Sequence, residues 1–434
     1  MKTLKKYFSQ PTRGKLSMLV MGLSQILQKQ YVKGLIYFGI LVLYVLYMIF
    51  EGVENIHGFI TLGEVKGDAW LGIEGDDSIM LMLQGIITYV VTAFFAGFYF
   101  SNVKDAYESE QSLQKGQELP NFKEAVVRFF DRKFYIVALA IPVVGVVTFN
   151  ILPIVFMIII AFTNYGGDIV PPELIDWIGF GNFAKILNLT EIKDTFVKIL
   201  GWNVIWAFLA TFVNYFGGLA LALLLNKKCV KGKTFWRSFP ILAYAVPGFI
   251  TLLAFKFMFC YGGPINYYIK LAGYAPIGFL DMDAGIKAKM IGLFVNAWIS
   301  IPTSMLLATG ILSNMNLDLY DAASIDGANS WKQFTKITLP FVIFSTTPVL
   351  ISSFVGNFNN FGVFYFLRNG LYNNGYFLAS DTDLLINWLY NLTYSNDYYG
   401  IGAALSLIIF LITSFFSLAV YVRSDAYRKE DTYR

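Results

Sequence analysis

Three constellations in this sequence have residue types and spacings that could do chemistry. Lys231-Gly232-Lys233-Thr234 has the ending of a phosphate-cradling loop, in which glycines bring backbone N–H groups to the phosphates and a lysine meets their charge. That chemistry needs a glycine five residues before Gly232, and Lys227 stands there. The segment is basic and follows no strand, so it is expected to be a positively charged anchor at a membrane face. Ser353, Gly356, Asn357 and Asn360 recur at i, i+3, i+4 and i+7, which on a helix places them on one stripe within an apolar run. Amide side chains both donate and accept, and Phe354, Phe358 and Phe361 offer rings, a combination suited to hydroxylated ligands. The same amides could instead join neighbouring membrane helices. Asn359 falls on another face. The third constellation is a polar loop with Asp321, Ala322, Ala323 and Gly327. Two small residues let another chain approach closely, Asp321 offers a charge to Arg or Lys, and Gly327 permits a turn that a Cβ would resist. A lipid-surface helix is the alternative, but such helices favour a basic polar face, and this loop has only Lys332 and Lys336.

Catalytic chemistry has no candidate. The chain has a single histidine, His57, and two cysteines, Cys229 and Cys260, with no carboxylate pair inside an apolar run. No general acid–base site, activated nucleophile or metal site is expected. Cys229 and Cys260 fall near opposite membrane faces, too far apart for a disulfide.

The elements that must position these residues are membrane helices. Of 434 residues, 56% are hydrophobic and only 14% charged, with mean hydropathy +0.57. Soluble chains carry about a quarter charged residues. Apolar runs fall near 34–50, 80–100, 135–162, 201–225, 239–259, 290–312, 341–366 and 400–422, each close to the length that crosses a bilayer. Backbone amides in lipid need internal partners and no barrel-like alternation appears, so the fold class is an all-α integral membrane protein with eight transmembrane helices. Lys and Arg number 24 in the segments outside alternate spans, termini included, against 8 on the other side. This bias places both termini and the 313–340 loop in the cytoplasm. The net charge of +4 follows from it and does not suggest nucleic acid. The first apolar run lacks a small-residue cleavage site and reads as a retained helix. Lys256 is expected to snorkel from the outer end of the fifth span. Asp318 is expected to cap a short helix through Ala322 and Ala323, and Pro340 to open the seventh span.

The spacing of the polar loop carries a resemblance. Asp321-Ala322-Ala323, then Gly327, then Ile337-Thr338-Leu339-Pro340 resembles the cytoplasmic loop of binding-protein-dependent ABC importer permeases, with Asp321 where that pattern has Glu. The resemblance implies a six-helix permease core over 134–434 that contains the ATPase-docking loop 313–340. Residues 1–133 form an extension with two further helices and a cytoplasmic linker. It implies docking through Asp321, Ala322, Ala323 and Gly327, and sugar contacts at Ser353, Gly356, Asn357 and Asn360, as in the maltose and maltodextrin branch. A bulkier aromatic occurs in that branch where this chain has Gly356, which implies a wider pocket. The large folded outer domain of the maltose branch has no room in the loop at 163–200. The implied partners are a second homologous permease, two ATPase subunits that bind the ATP and magnesium, an extracellular sugar-binding protein, an oligosaccharide and membrane lipid. An ion- or proton-coupled secondary transporter is the alternative, but it needs an ionisable residue at mid-membrane. Lys256 lies off-centre. A membrane enzyme would need the acid–base pair that the chain lacks.

Overall fold

In the computed structural model, which describes residues 12–67, 70–227 and 229–423, all eight apolar runs fold as helices. The spans are Tyr31–Thr61, Ser78–Gln114, Phe134–Ile160, Thr190–Asn226, Gly248–Leu271, Gly285–Ser313, Ser330–Arg368 and Tyr399–Arg423. Most are longer than the apolar runs because polar residues continue each helix past the hydrocarbon. Lys2, Lys5, Lys6, Lys228, Arg428, Lys429 and Arg434, which contribute to the expected orientation, lie outside the described residues.

The chain divides into two compact units, Met1–Gly179 and Phe180–Arg434. In the first, spans one and two pack as a pair. Tyr44 stacks on Phe95 at 3.8 Å, and the Tyr47 hydroxyl lies 2.7 Å from the Thr88 hydroxyl. Asp77 caps the second span by accepting from the Ile79 and Met80 N–H groups. Two short helices, Thr12–Leu19 and Leu23–Leu27, are held against the second span by Asn102. Its Oδ1 accepts from Ser17 Oγ, Gly22 N and Gln25 Nε2, and its Nδ2 donates to the Ser17 carbonyl.

The second unit is built on the contact between spans four and six. A Cβ on Gly218 would lie 2.4 Å from Ser304 Cβ and 2.7 Å from the Met305 nitrogen, so glycine is what lets these two helices touch. Two apolar cores stack along this pair. One gathers Tyr215, Leu219, Ala222, Met305, Ala308 and Val342 near the 313–340 loop. The other includes Trp206, Leu252, Val295, Phe364 and Leu384 toward the opposite end.

Three local departures from the expected helices have physical causes. The fifth span is not one helix over 239–259. Helix Lys233–Ala245 stops, Val246 and Pro247 are extended, and Gly248–Phe259 begins afresh. Proline drives the residue before it out of the helical region, so the break falls where sequence puts it. The seventh span also breaks. Its helix Leu339–Phe358 ends at Asn359, and a short helix Gly362–Arg368 follows. Finally, Pro340 does stand in the first turn of helix Leu339–Phe358, but helical backbone already precedes it. Helical backbone runs from Ser330 through a π turn at Phe334–Thr338 into Leu339. The wider turn lies where the proline has no N–H to donate and its ring crowds the carbonyl four residues back. The same pairing recurs in span three, where a π turn at Val147–Ile151 precedes Pro153.

Candidate functional site

The 313–340 loop keeps its expected backbone but not its expected cap. Helix Asp318–Ile325 starts with Asp318 as its first residue, and Asn316 Oδ1 instead accepts from the Asp318 N–H at 3.0 Å. Asp318 and Asp321 both sit in the first turn, where negative charge suits the helix dipole. Gly327 turns with φ +77°, and Asn329 caps the next helix by accepting from Lys332 N at 2.9 Å. Asp321, Ala322 and Gly327 are exposed and Ala323 is half-buried, so four small or acidic positions share an open surface. Leu319, Ile325 and Trp331 are exposed beside them. This segment is tied to span seven at two points. The Tyr320 hydroxyl lies 2.8 Å from Thr338 Oγ1 inside the π turn, and Gln333 Nε2 donates to Ser324 Oγ at 2.8 Å.

The polar stripe of span seven is divided by the break. Ser353, Gly356 and Asn357 lie on the helix, whereas Asn360 falls just beyond its end, so the i+7 position is no longer helical. Asn357 is buried and donates from Nδ2 to Thr211 Oγ1 at 3.0 Å, in span four. Asn296 of span six reaches Asn357 Oδ1 at 3.5 Å and receives from Asn360 Nδ2 at 3.5 Å. Asn360 Oδ1 accepts from the Val363 N–H at 3.1 Å. Asn357 thus makes the interhelical contact that its spacing also allowed. Ser353 and Gly356 are exposed, Asn360 is half-buried, and a Cβ on Gly356 would meet nothing within 4 Å. Asn359 is exposed too and donates to the Val355 carbonyl. Phe354 and Phe358 are buried, Phe354 stacking on Phe416 at 4.3 Å, so they are core rings and not free faces. Phe361 stays partly open and stacks on Tyr365 at 4.4 Å.

Several residues of this region escape a reading by stripes. Asn203 of span four is fully buried, donating to the Phe358 carbonyl at 3.1 Å and accepting from Leu385 N at 3.0 Å. Asn387 donates to the Phe361 carbonyl at 2.8 Å. The carbonyls freed by the break are therefore held by side chains and not left in lipid. Lone asparagines inside apolar runs, at 203 and 296, were the available signal. Farther along, Arg368 is 2% exposed, and its guanidinium finds five acceptors. They are the carbonyls of Leu280, Asp281 and Met282, Thr382 Oγ1, and Asp381 Oδ1 at 2.9 Å. Asp383 lies next to this cluster and accepts from Ser380 N, Ser380 Oγ and Asn391 Nδ2. Burial pushes its carboxyl up to about 6, against the pull of those donors and of Arg368. Lys256 is half-buried in the last turn of its helix, where a cation suits the carbonyl end.

Comparison with known proteins places this geometry. The family described as "Binding-protein-dependent transport system inner membrane component" matches residues 214–426. The chain is 33% identical to the maltodextrin transport system permease protein MalC of Streptococcus pneumoniae serotype 4, over 97% of this chain and 98% of that one. It is 30% identical to the galactooligosaccharides transport system permease protein GanP of Bacillus subtilis strain 168, over 95% and 97%. Among solved structures, a bacterial ABC transporter involved in import of the acidic polysaccharide alginate has the same fold. Its TM-score is 0.56 at 19% identity, covering 69% of this chain and 97% of that one.

Proposed function

Because the chain belongs to the binding-protein-dependent ABC importer permeases, we propose that it moves an oligosaccharide, maltodextrin foremost, across the bacterial cell membrane by alternating access. It is the multi-pass membrane subunit of an ABC importer, and ATP hydrolysis belongs to separate ATPase subunits. Relatives named for maltodextrin and for galactooligosaccharides support a neutral oligosaccharide as cargo. In this reading residues 134–434 form the core and 1–133 an added two-helix extension. Both termini and the 313–340 loop face the cytoplasm. The core pairs with a second homologous permease, two ATPases that hold Mg-ATP, and a sugar-binding protein outside.

Asp321, Ala322, Ala323 and Gly327 form the surface on which an ATPase docks. Ser353, Gly356 and Asn360 line the open face of the sugar pathway. Asn357 fixes that face from behind through Thr211 and contributes an amide when the helices part. The carrying observation is the unbroken helical backbone from Ser330 to Phe358, tied to the docking helix by Tyr320–Thr338 and Gln333–Ser324. Movement of the docking surface is passed directly to Ser353 and Gly356. A ligand-driven change of state needs such differential contacts at both ends.

The test is reconstitution. The purified chain alone should neither hydrolyse ATP nor transport sugar, and vesicles holding all subunits should take up labelled maltotriose only with ATP inside the ATPase compartment. Sugar uptake by this chain alone under a proton or sodium gradient would overturn the reading.

A further inference from the structure

Asn214 falls midway along the apolar run of span four, is 6% exposed, and has its Oδ1 buried with no hydrogen-bond partner. An amide oxygen left unmet at that depth is costly. No ligand reaches an atom so enclosed, so its donor must come from a neighbouring side chain. The neighbour is span six. Trp206 and Ala210 share one core with Ile291 and Val295, and Leu219 and Ala222 share the other with Met305 and Ala308, so the two helices run in the same direction. Gly218 lies directly against Ser304. One turn back from that contact on both helices, Asn214 stands level with Ser300. Ser300 is half-buried and its hydroxyl is a donor, yet it does not reach Asn214 Oδ1 in this arrangement.

The helix between these two levels is built to bend. Pro302, buried inside span six, stands between Ser300 and the Ser304 contact. It has no N–H for the Trp298 carbonyl and its ring crowds that carbonyl, which is the common cause of a kink. On the Ser304 side the glycine contact leaves no slack. A Cβ on Gly217 would lie 2.8 Å from Ile301 Cδ1, and one on Gly218 2.7 Å from the Met305 nitrogen. The half of span six that carries Ser300 is therefore the half free to turn against span four.

We propose that spans four and six pivot at Pro302 during transport, and that in the opposite state of the cycle Ser300 donates to Asn214 Oδ1. This rests on the alternating-access reading. Asn214 is then a positioning residue. Its unmet oxygen raises the energy of the present arrangement, and pairing with Ser300 lowers that of the other, so one amide biases the equilibrium through its difference between states.

The test melts the assembled transporter with its ATPases empty and again with a non-hydrolysable ATP analogue bound. Asn214→Leu keeps the branching of the amide but needs no donor. Its unfolding midpoint should rise in one condition, where the oxygen is unmet, and fall in the other, where the bond to Ser300 is lost. Ser300→Ala should leave the first midpoint unchanged and lower only the second. In vesicles with the full set of subunits, each variant should slow maltotriose uptake about fivefold, the worth of one hydrogen bond, and the double variant no further. A midpoint of Asn214→Leu that moves the same way in both conditions would overturn the proposal, as would a double variant slowed by the product of the two single effects. Wild-type vesicles that take up no sugar would instead refute the transport reading, and the two midpoints would still decide the pivot.

Discussion

Replacing Gly356 with tyrosine should change which sugars pass without disturbing the fold. Gly356 lies in the helix Leu339–Phe358, is exposed, and has nothing within 4 Å of the point where a Cβ would stand. The added ring therefore displaces no neighbour, and losing a helical glycine is worth roughly 0.5–1 kcal/mol in favour of folding. The ring would project over the open face beside Ser353 and Asn360, where the sugar chain is proposed to run. A pocket discriminates by about 1–3 kcal/mol, or roughly 10–200-fold, for a group as small as one methylene. A hexose is far larger, so chains needing that space should lose at least tenfold in rate. Uptake of maltose, maltotriose and maltopentaose by vesicles with the full set of subunits provides the assay. Wild type should accept all three, and Gly356→Tyr should retain maltose while rejecting the longest. An unchanged length profile at normal complex yield, or an equal loss for every length, would refute the placement of this face on the sugar path.

Asn357→Ala should lower the unfolding midpoint and the yield of complex, because it removes the bond to half-buried Thr211 and leaves buried Asn296 without one acceptor, together about 1–3 kcal/mol; Thr211→Val added to it should cost little more. Strict additivity in that thermal cycle would separate the two side chains. Gly327→Val forces a β-branched residue to φ +77°, a strain of at least about 1–2 kcal/mol. Together with Asp321→Lys it should reduce ATPase co-purification while membrane insertion stays normal; full co-purification in both would argue against docking there. Asp383 has its carboxyl raised from 3.8 to about 6 by burial, so the folded loop holds the proton more firmly than the unfolded chain. Its contribution is full below the lower value and is lost as pH rises through the upper one, up to about 3 kcal/mol in all. Asp383→Asn should flatten that part of the unfolding profile, and an unaltered pH dependence would count against the assignment.

How far the sequence reached depended on range. Span positions were legible because lipid imposes one requirement on every residue, and the turn at Gly327 because its positive φ has a local conformational reason. The breaks in spans five and seven were less so. Pro247 announced one of them, but nothing local marks Asn359, and that helix ends where Asn203 and Asn387, distant in sequence, take up its carbonyls. Periodicity did sort the asparagines by face: Asn357 and Asn360 both meet Asn296, and Asn359 stays exposed and apart, but the spacing did not say that Asn357 would be tied to Thr211. Which of several equivalent amides becomes a structural contact is decided by the helix opposite, and one helix's spacing does not contain that information.

The break at Asn359 also sets a gearing. On the side of the proposed docking surface, helical backbone runs from Ser330 to Phe358, roughly 43 Å at 1.5 Å per residue. Beyond the break, Gly362–Arg368 reaches only about 10 Å before Arg368 anchors it to five acceptors. Arms of such unequal length about one fulcrum reduce displacement about fourfold. A shift of several ångströms imposed at the docking surface arrives at Arg368 as little more than one, within what its hydrogen bonds absorb. In the proposed mechanism the docking end can therefore swing while the far end stays closed, and opening the far end calls for a separate push from that side.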